Sequence, residues 1–193
     1  MTRLATLSLA FCLTTAAMAQ DTQVYTVQDG SVLEIDGTSN KSDWTVSAAE
    51  MSGTFEMTEG AVTSARFAVV SNSIRGSHGV IQNKLITKAL KIGSNPEVVY
   101  TLTEVTGSEA VEGGTQLSTK GTLSLAGVDR EIEMDVMISD VEGGVRFVGE
   151  HPVSMTDYRI KPPTAMFGAL HVGKEVLVRF DVTAAPAEEA GTD

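Results

Sequence analysis

Cysteine is almost missing from this chain: Cys12 is the only one in 193 residues. It lies in a segment expected to be removed, so the remaining chain has neither a thiol nor a disulfide. Thiol nucleophiles, CxxC redox pairs and cysteine-based zinc sites are excluded, and stability rests on the core alone. Positive charge is also scarce. Lys and Arg number 14 against 25 Asp and Glu, a net charge of −11. Nucleic acid is therefore not expected as a partner, because an acidic chain repels phosphates. No apolar run after the first segment is long enough to cross a bilayer. The three histidines, His78, His151 and His171, lack the short spacing of a compact metal site and read as independent surface or cap residues. There is no G-x-S-x-G elbow for a serine nucleophile. Gly168–Glu175 matches G-x-x-x-x-G-K, but Glu175 replaces the required Ser or Thr and a strand pattern follows, so Gly173-Lys174 reads as a turn.

The first segment has the form of a secretory signal. Arg3 is a short basic region, Leu4–Cys12 is mostly apolar, and Ala17-Met18-Ala19 is an A-x-A cleavage signal. Phe11 is too large for a lipoprotein site at Cys12. The expected organisation is a signal peptide over 1–19, one domain over 20–184 and a disordered acidic tail over 185–193. The expected location is a bacterial periplasm, secretion remaining open.

The rest of the chain alternates. In Arg130–Ile138, Ile132, Met134, Val136 and Ile138 share one face; in Glu175–Val182, Val176, Val178, Phe180 and Val182 do. Similar runs cover 31–38, 44–58 (bent or broken near Gly53), 61–70, 98–107, 115–125 and 145–153. Glu59-Gly60, Gly113-Gly114, Gly127–Asp129 and Gly143-Gly144 mark turns. About eight half-apolar strands predict an all-β antiparallel barrel or sandwich. One stretch differs. Over residues 78–92, Ile81, Leu85 and Ala89 recur every four residues beside Ile86 and Leu90, which predicts one amphipathic helix. Ser77 is its expected N-cap, and Gly93 and Pro96 stop it.

Between Gly60 and Pro96 there is no Asp or Glu, while Arg66, Arg75, Lys84, Lys88 and Lys91 give +5. Helical spacing puts Lys84, Lys88 and Lys91 on one face. That face is either simply solvated or a basic rim for a charged head group or an anionic membrane surface. Lys161-Pro162-Pro163 makes a stiff extended loop. After it, Met166, Phe167 and Leu170 form either an apolar flap over a barrel mouth or a plug.

Several segments resemble the YceI-like family, the bacterial polyisoprenoid-binding proteins. Ile35–Trp44 (IDGTSNKSDW) is similar to the family's G-T-S…D-W segment, with Asn40-Lys41-Ser42 standing where a T-L-H-like stretch is expected. Gly121–Arg130 (GTLSLAGVDR) resembles its G-x-L-x-x-x-G-V-x-R hairpin. Lys84–Ile92 with Asn95–Tyr100 resembles its helix, proline and strand, and Met155–Pro163 a loop found in one branch.

The resemblance covers Val24–Val182. It implies a lipocalin-like barrel of about eight strands with a helix at one end. It also implies an apolar cavity for a polyprenyl lipid or quinone tail, and no catalytic residue. No cofactor is expected beyond such a bound lipid, and a homodimer is left open. The expected cavity wall is Trp44, Phe67, Val69, Leu85, Ile86, Tyr100, Leu102, Leu123, Leu125, Met134, Val136, Phe147 and Phe167, with Lys84, Lys88 and Lys91 facing a head group or membrane. Two rival readings stand beside this one. One is a packed, ligand-free envelope protein. The other is a small hydrolase or isomerase, which would need two of His78, His151, His171, Asp43 and Asp157 to meet inside a cavity.

Overall fold

A strand with apolar side chains at every second position buries one face and leaves the other wet. In the computed structural model, which describes residues 21–77 and 79–187, that pattern yields twelve strands and one α-helix among the described residues. They are β1 (Thr22–Val27), β2 (Val32–Ser39), β3 (Trp44–Ala48), β4 (Met51–Thr58), β5 (Ala61–Val70) and β6 (Ile74–Gly76). The helix α1 (Gly79–Leu90) follows. Then come β7 (Glu97–Val111), β8 (Gly114–Leu125), β9 (Val128–Val141), β10 (Gly144–Ser154), β11 (Thr164–Ala165) and β12 (Leu170–Pro186).

The strands β1-β4-β5-β7-β8-β9-β10-β12 are neighbours in that order, and β12 returns to β1. This closes an eight-stranded antiparallel barrel, which leaves its ring without a free edge. On the side away from β10, β12 serves two strands in succession: Val172–Asp181 pairs with β2, and Ala184–Pro186 pairs with β1. β1 and β2 thus follow one another along the same strand. At the kink between them, the Gln28 backbone N–H donates to Thr183 O at 2.8 Å. From β2 the sheet continues through β3 to β6. The outer side of β6 lies under α1, where the Gly76 N–H donates to Asn83 Oδ1 at 3.2 Å. A helix side chain takes the place of a neighbouring strand.

Several boundaries differ from the sequence reading. The run 44–58 breaks at Ala49-Glu50, not near Gly53, because β3 pairs with β2 while β4 pairs with β1. Gly53 lies inside β4, opposite Phe67. The alternation pattern does not predict the short strands β1, β6 and β11. Gly173-Lys174 is not a turn: it lies within β12, at a register shift between Val172 and Val176. β12 also runs through Pro186, beyond the expected domain end at 184. The expected signal segment and the tail from 188 onward lie outside the described residues, as does His78.

The two ends of the barrel are packed by different clusters. Away from α1, Phe55 and Phe147 stack with centroids 4.4 Å apart and planes 15° from parallel. Val136, Val145, Val182 and Ala184 bury them. At the α1 end, Ala126, Val153, Met155, Tyr158 and Ile160 form a second cluster, against which Trp44, Ala89 and Leu125 pack.

Candidate ligand cavity

Between these clusters the inward side chains leave space. They enclose a continuous cavity of about 510 Å³. Its walls reach from Ile81, Met166 and Leu170 at the α1 end to Phe55, Phe147 and Val182 at the other. Among the described residues no Lys, Arg, Asp or Glu lines it. Its polar side chains are Ser39, Ser42, Gln82, Tyr100, Thr119 and His151, together with the indole of Trp44. Tyr100 Oη lies 3.4 Å from Thr119 Oγ1, which donates to Met134 O at 2.8 Å. Burial holds the Tyr100 phenol above its ordinary pKa.

Trp44 owes its position to a glycine. It pairs across strands with Gly37, and a Cβ on Gly37 would lie 2.1 Å from the indole ring. The ring therefore lies flat on bare backbone, with its N–H donating to Thr38 O at 3.1 Å. Its polar atom is satisfied and its ring face is left for the cavity.

A family model for the YceI-like domain matches residues 24–184. The chain belongs to the YceI-like family. Solved structures share the fold at low identity. BcnA of Burkholderia cenocepacia is 14% identical, with a TM-score of 0.66 over 80% of this chain and 96% of its own. A polyisoprenoid-binding domain from Saccharophagus degradans, implicated in plant cell wall breakdown, is 14% identical, with a TM-score of 0.67 over 86% and 99%. The YCEI protein of Campylobacter jejuni is 16% identical, with a TM-score of 0.59 over 75% and 85%. No curated protein matches the chain.

In this YceI-like barrel, twelve of the thirteen expected wall residues line the cavity: Trp44, Phe67, Val69, Leu85, Ile86, Tyr100, Leu102, Leu123, Leu125, Met134, Val136 and Phe147. Phe167 does not. Met166, Phe167 and Gly168 all have positive φ (53°, 54° and 89°), and this tight reversal turns the Phe167 ring fully into solvent. Its neighbours Met166 and Leu170 reach the cavity instead.

The basic trio also divides. Lys84 and Lys88 are exposed on α1. Lys91 lies past the end of the helix with φ 51°, so it is not on their face. Its Nζ donates to Ala126 O at 3.4 Å, tying the helix end to the β8–β9 turn.

Two residues gained a place that their type did not suggest. Asn40 clamps the segment carrying Phe167: its Nδ2 donates to Ala169 O at 3.0 Å, and His171 N donates to its Oδ1 at 2.9 Å. His151 is not on the surface but lines the cavity from β10. The candidates His171, Asp43 and Asp157 are exposed and do not line the cavity. Among the described residues no group of three or more His, Asp or Glu side chains gathers as a metal site.

Burial lowers the His151 pKa from its ordinary 6.5. The unfolded chain therefore takes up a proton near pH 6.5, and the folded chain only at lower pH. His151's contribution to stability is complete above pH 6.5 and declines as pH falls through the window below it. Thermal unfolding followed downward from neutral pH should show this decline, and His151→Gln should flatten it. Identical pH profiles for the two proteins would count against the desolvated imidazole.

Proposed function

We propose that this chain is an exported binding protein that holds the apolar tail of an isoprenoid amphiphile inside its barrel and performs no chemistry on it. The observation that carries this reading is the continuous 510 Å³ apolar cavity without a charged side chain. Family membership and the fold shared with a polyisoprenoid-binding domain support it. Each CH₂ moved from water into such walls is worth about 0.8 kcal/mol, so a long tail binds firmly without polar contacts. The same walls discriminate against charge. A phosphate drawn into the cavity would lose its water and meet no cation, a cost of several kcal/mol. A neutral head, such as a quinone or alcohol beside Tyr100, Thr119 or His151, suits the interior. A phosphorylated head has cations only outside, at Lys84 and Lys88, where an anionic membrane surface would also be met. A packed, ligand-free barrel is disfavoured by the same empty volume. A hydrolase or isomerase is disfavoured because, among the described residues, His151 and Tyr100 are the titratable groups of the lining and neither is accompanied by a carboxylate there.

The test is native mass spectrometry of protein purified from a bacterial periplasm, followed by solvent extraction and lipid analysis. The expected result is the mass of residues 20–193 plus one isoprenoid adduct. Bare protein, even after incubation with quinones and polyprenols, would overturn the carrier reading. A retained signal segment would overturn the export reading.

A further inference from the structure

The two ends of the barrel differ in charge and in apolar exposure. Away from α1, the hairpin tips Glu59-Gly60, Glu112-Gly113 and Glu142-Gly143 all carry exposed carboxylates, and none of these turns contains a Lys or Arg. The α1 end carries the exposed cations Lys41, Lys84, Lys88, Lys161 and Lys174. Asp43, Glu50, Glu97, Asp129, Asp157 and Glu175 share that end, Glu97 lying 3.4 Å from Arg66 and Glu175 3.6 Å from Lys174, while Arg75, Lys91, Arg130 and Arg159 add further cations.

The same end exposes large apolar side chains on two separate elements. On α1, Val80 and Ile81 are 69% and 67% exposed. On the loop before β12, Met166 is 66% exposed and Phe167 fully so. Ile81 and Met166 also line the cavity, so the mouth opens between these two elements. The loop is not loosely held, because Asn40 fixes it through Ala169 and His171. Its non-glycine residues Met166 and Phe167 hold left-handed backbone, a conformation kept only where surrounding contacts impose it. A rigid loop that spends backbone strain on pointing a phenylalanine into water is built to meet something apolar.

We propose that the α1 end docks on an anionic lipid bilayer. Phe167, Met166, Val80 and Ile81 enter the boundary between head groups and acyl chains, while Lys84 and Lys88 contact lipid phosphates. The acidic tips at the opposite end are repelled, so the field of the molecule turns its mouth toward the surface. An apolar ligand then passes from bilayer to cavity without crossing water. The purpose of this docking rests on the carrier reading, but the docking itself is measured independently of any ligand.

Protein purified after export is sedimented at low salt with vesicles of phosphatidylcholine alone, or of phosphatidylcholine mixed with phosphatidylglycerol. Binding is expected to the mixed vesicles and to weaken as salt screens the lysines. The variant Phe167→Ser should bind about tenfold or more weakly, from lost apolar burial. Lys84→Glu/Lys88→Glu should lose about tenfold or more. Glu112→Lys/Glu142→Lys, which replaces repulsion at the far end by attraction, should make binding less dependent on Phe167. Calorimetric binding of a quinone in detergent-free solution is run alongside. Retention of quinone binding by Phe167→Ser, at a side chain outside the cavity lining, separates docking from carriage, and its loss would mean the loop serves the cavity and not a membrane. Absence of wild-type binding to mixed vesicles overturns the proposal, as does binding indifferent to Phe167. So does a dimer in solution that Phe167→Ser dissolves, which would assign the patch to a second copy.

Discussion

Phe147→Ala is expected to destabilise the protein by about 3–5 kcal/mol, the usual cost of emptying a buried aromatic site. The ring stacks on Phe55 at 4.4 Å and is enclosed by Val136, Val145 and Val182. Small domains are stable by only about 5–15 kcal/mol, and a chain with one cysteine has no internal disulfide to fall back on. The loss should appear as a fall in the denaturation midpoint at unchanged slope. The position makes a second outcome measurable. Phe147 also lines the far end of the cavity, so its removal lengthens the chamber. An isoprenoid long enough to fill the vacated space should stabilise the variant more than it stabilises the wild type, by mass action on the folded state. A loss under about 1 kcal/mol would show that the Phe55–Phe147 stack does not bear on stability as a buried pair does.

The wall of the cavity was legible because a closed barrel imposes one rule on every strand. Ile132, Met134, Val136 and Ile138 alternate in the sequence and all line the cavity. A shift by one residue would turn all of them outward, so the pattern fixes the register as well as the strand. His151 obeys the same rule. It stands two residues from Val153 and four from Phe147, both of which line the cavity. The expectation of a surface histidine rested on residue type, and the strand's period was the better guide.

Phe167 failed for the opposite reason. The stretch 164–170 has no period, and apolarity alone does not say where a loop residue points. Three successive positive φ angles decide that, and they depend on contacts from Asn40, more than a hundred residues away in sequence. Lys91 failed at a boundary. Its spacing fits Lys84 and Lys88 only if the helix continues, and the left-handed backbone at Lys91 ends it. The division of β1 from β2, and of β3 from β4, was beyond local reading altogether. It follows from β12 being long enough to pair with two strands in succession, which is a property of the closed sheet and not of either segment.

Leu102→Trp tests whether the chamber is used. Leu102 is an inward residue of β7, paired with Gly121 of β8; it lines the cavity and packs against the Phe55–Phe147 cluster. An added indole there projects into the cavity, so it meets less crowding than a larger side chain in a filled core would. The expected effect falls on the ligand. If the ring displaces about five CH₂ groups of a tail, about 4 kcal/mol of burial is lost, and affinity for a long-chain quinone drops about a thousandfold. Thr101→Trp provides the contrast, since Thr101 is the adjacent residue of β7 and is exposed on the outer face. It should leave affinity unchanged while adding the same side chain to the same strand. Calorimetry reads both variants, and denaturation midpoints check that both remain folded. Unaltered affinity in a folded Leu102→Trp would mean that the tail lies outside the barrel. The mouth residues would then have to supply the binding surface, and Met166→Ser/Phe167→Ser would be the variant to lose the quinone. Loss confined to Leu102→Trp would place the tail among the alternating side chains of β7 to β9, where the sequence first marked an apolar wall.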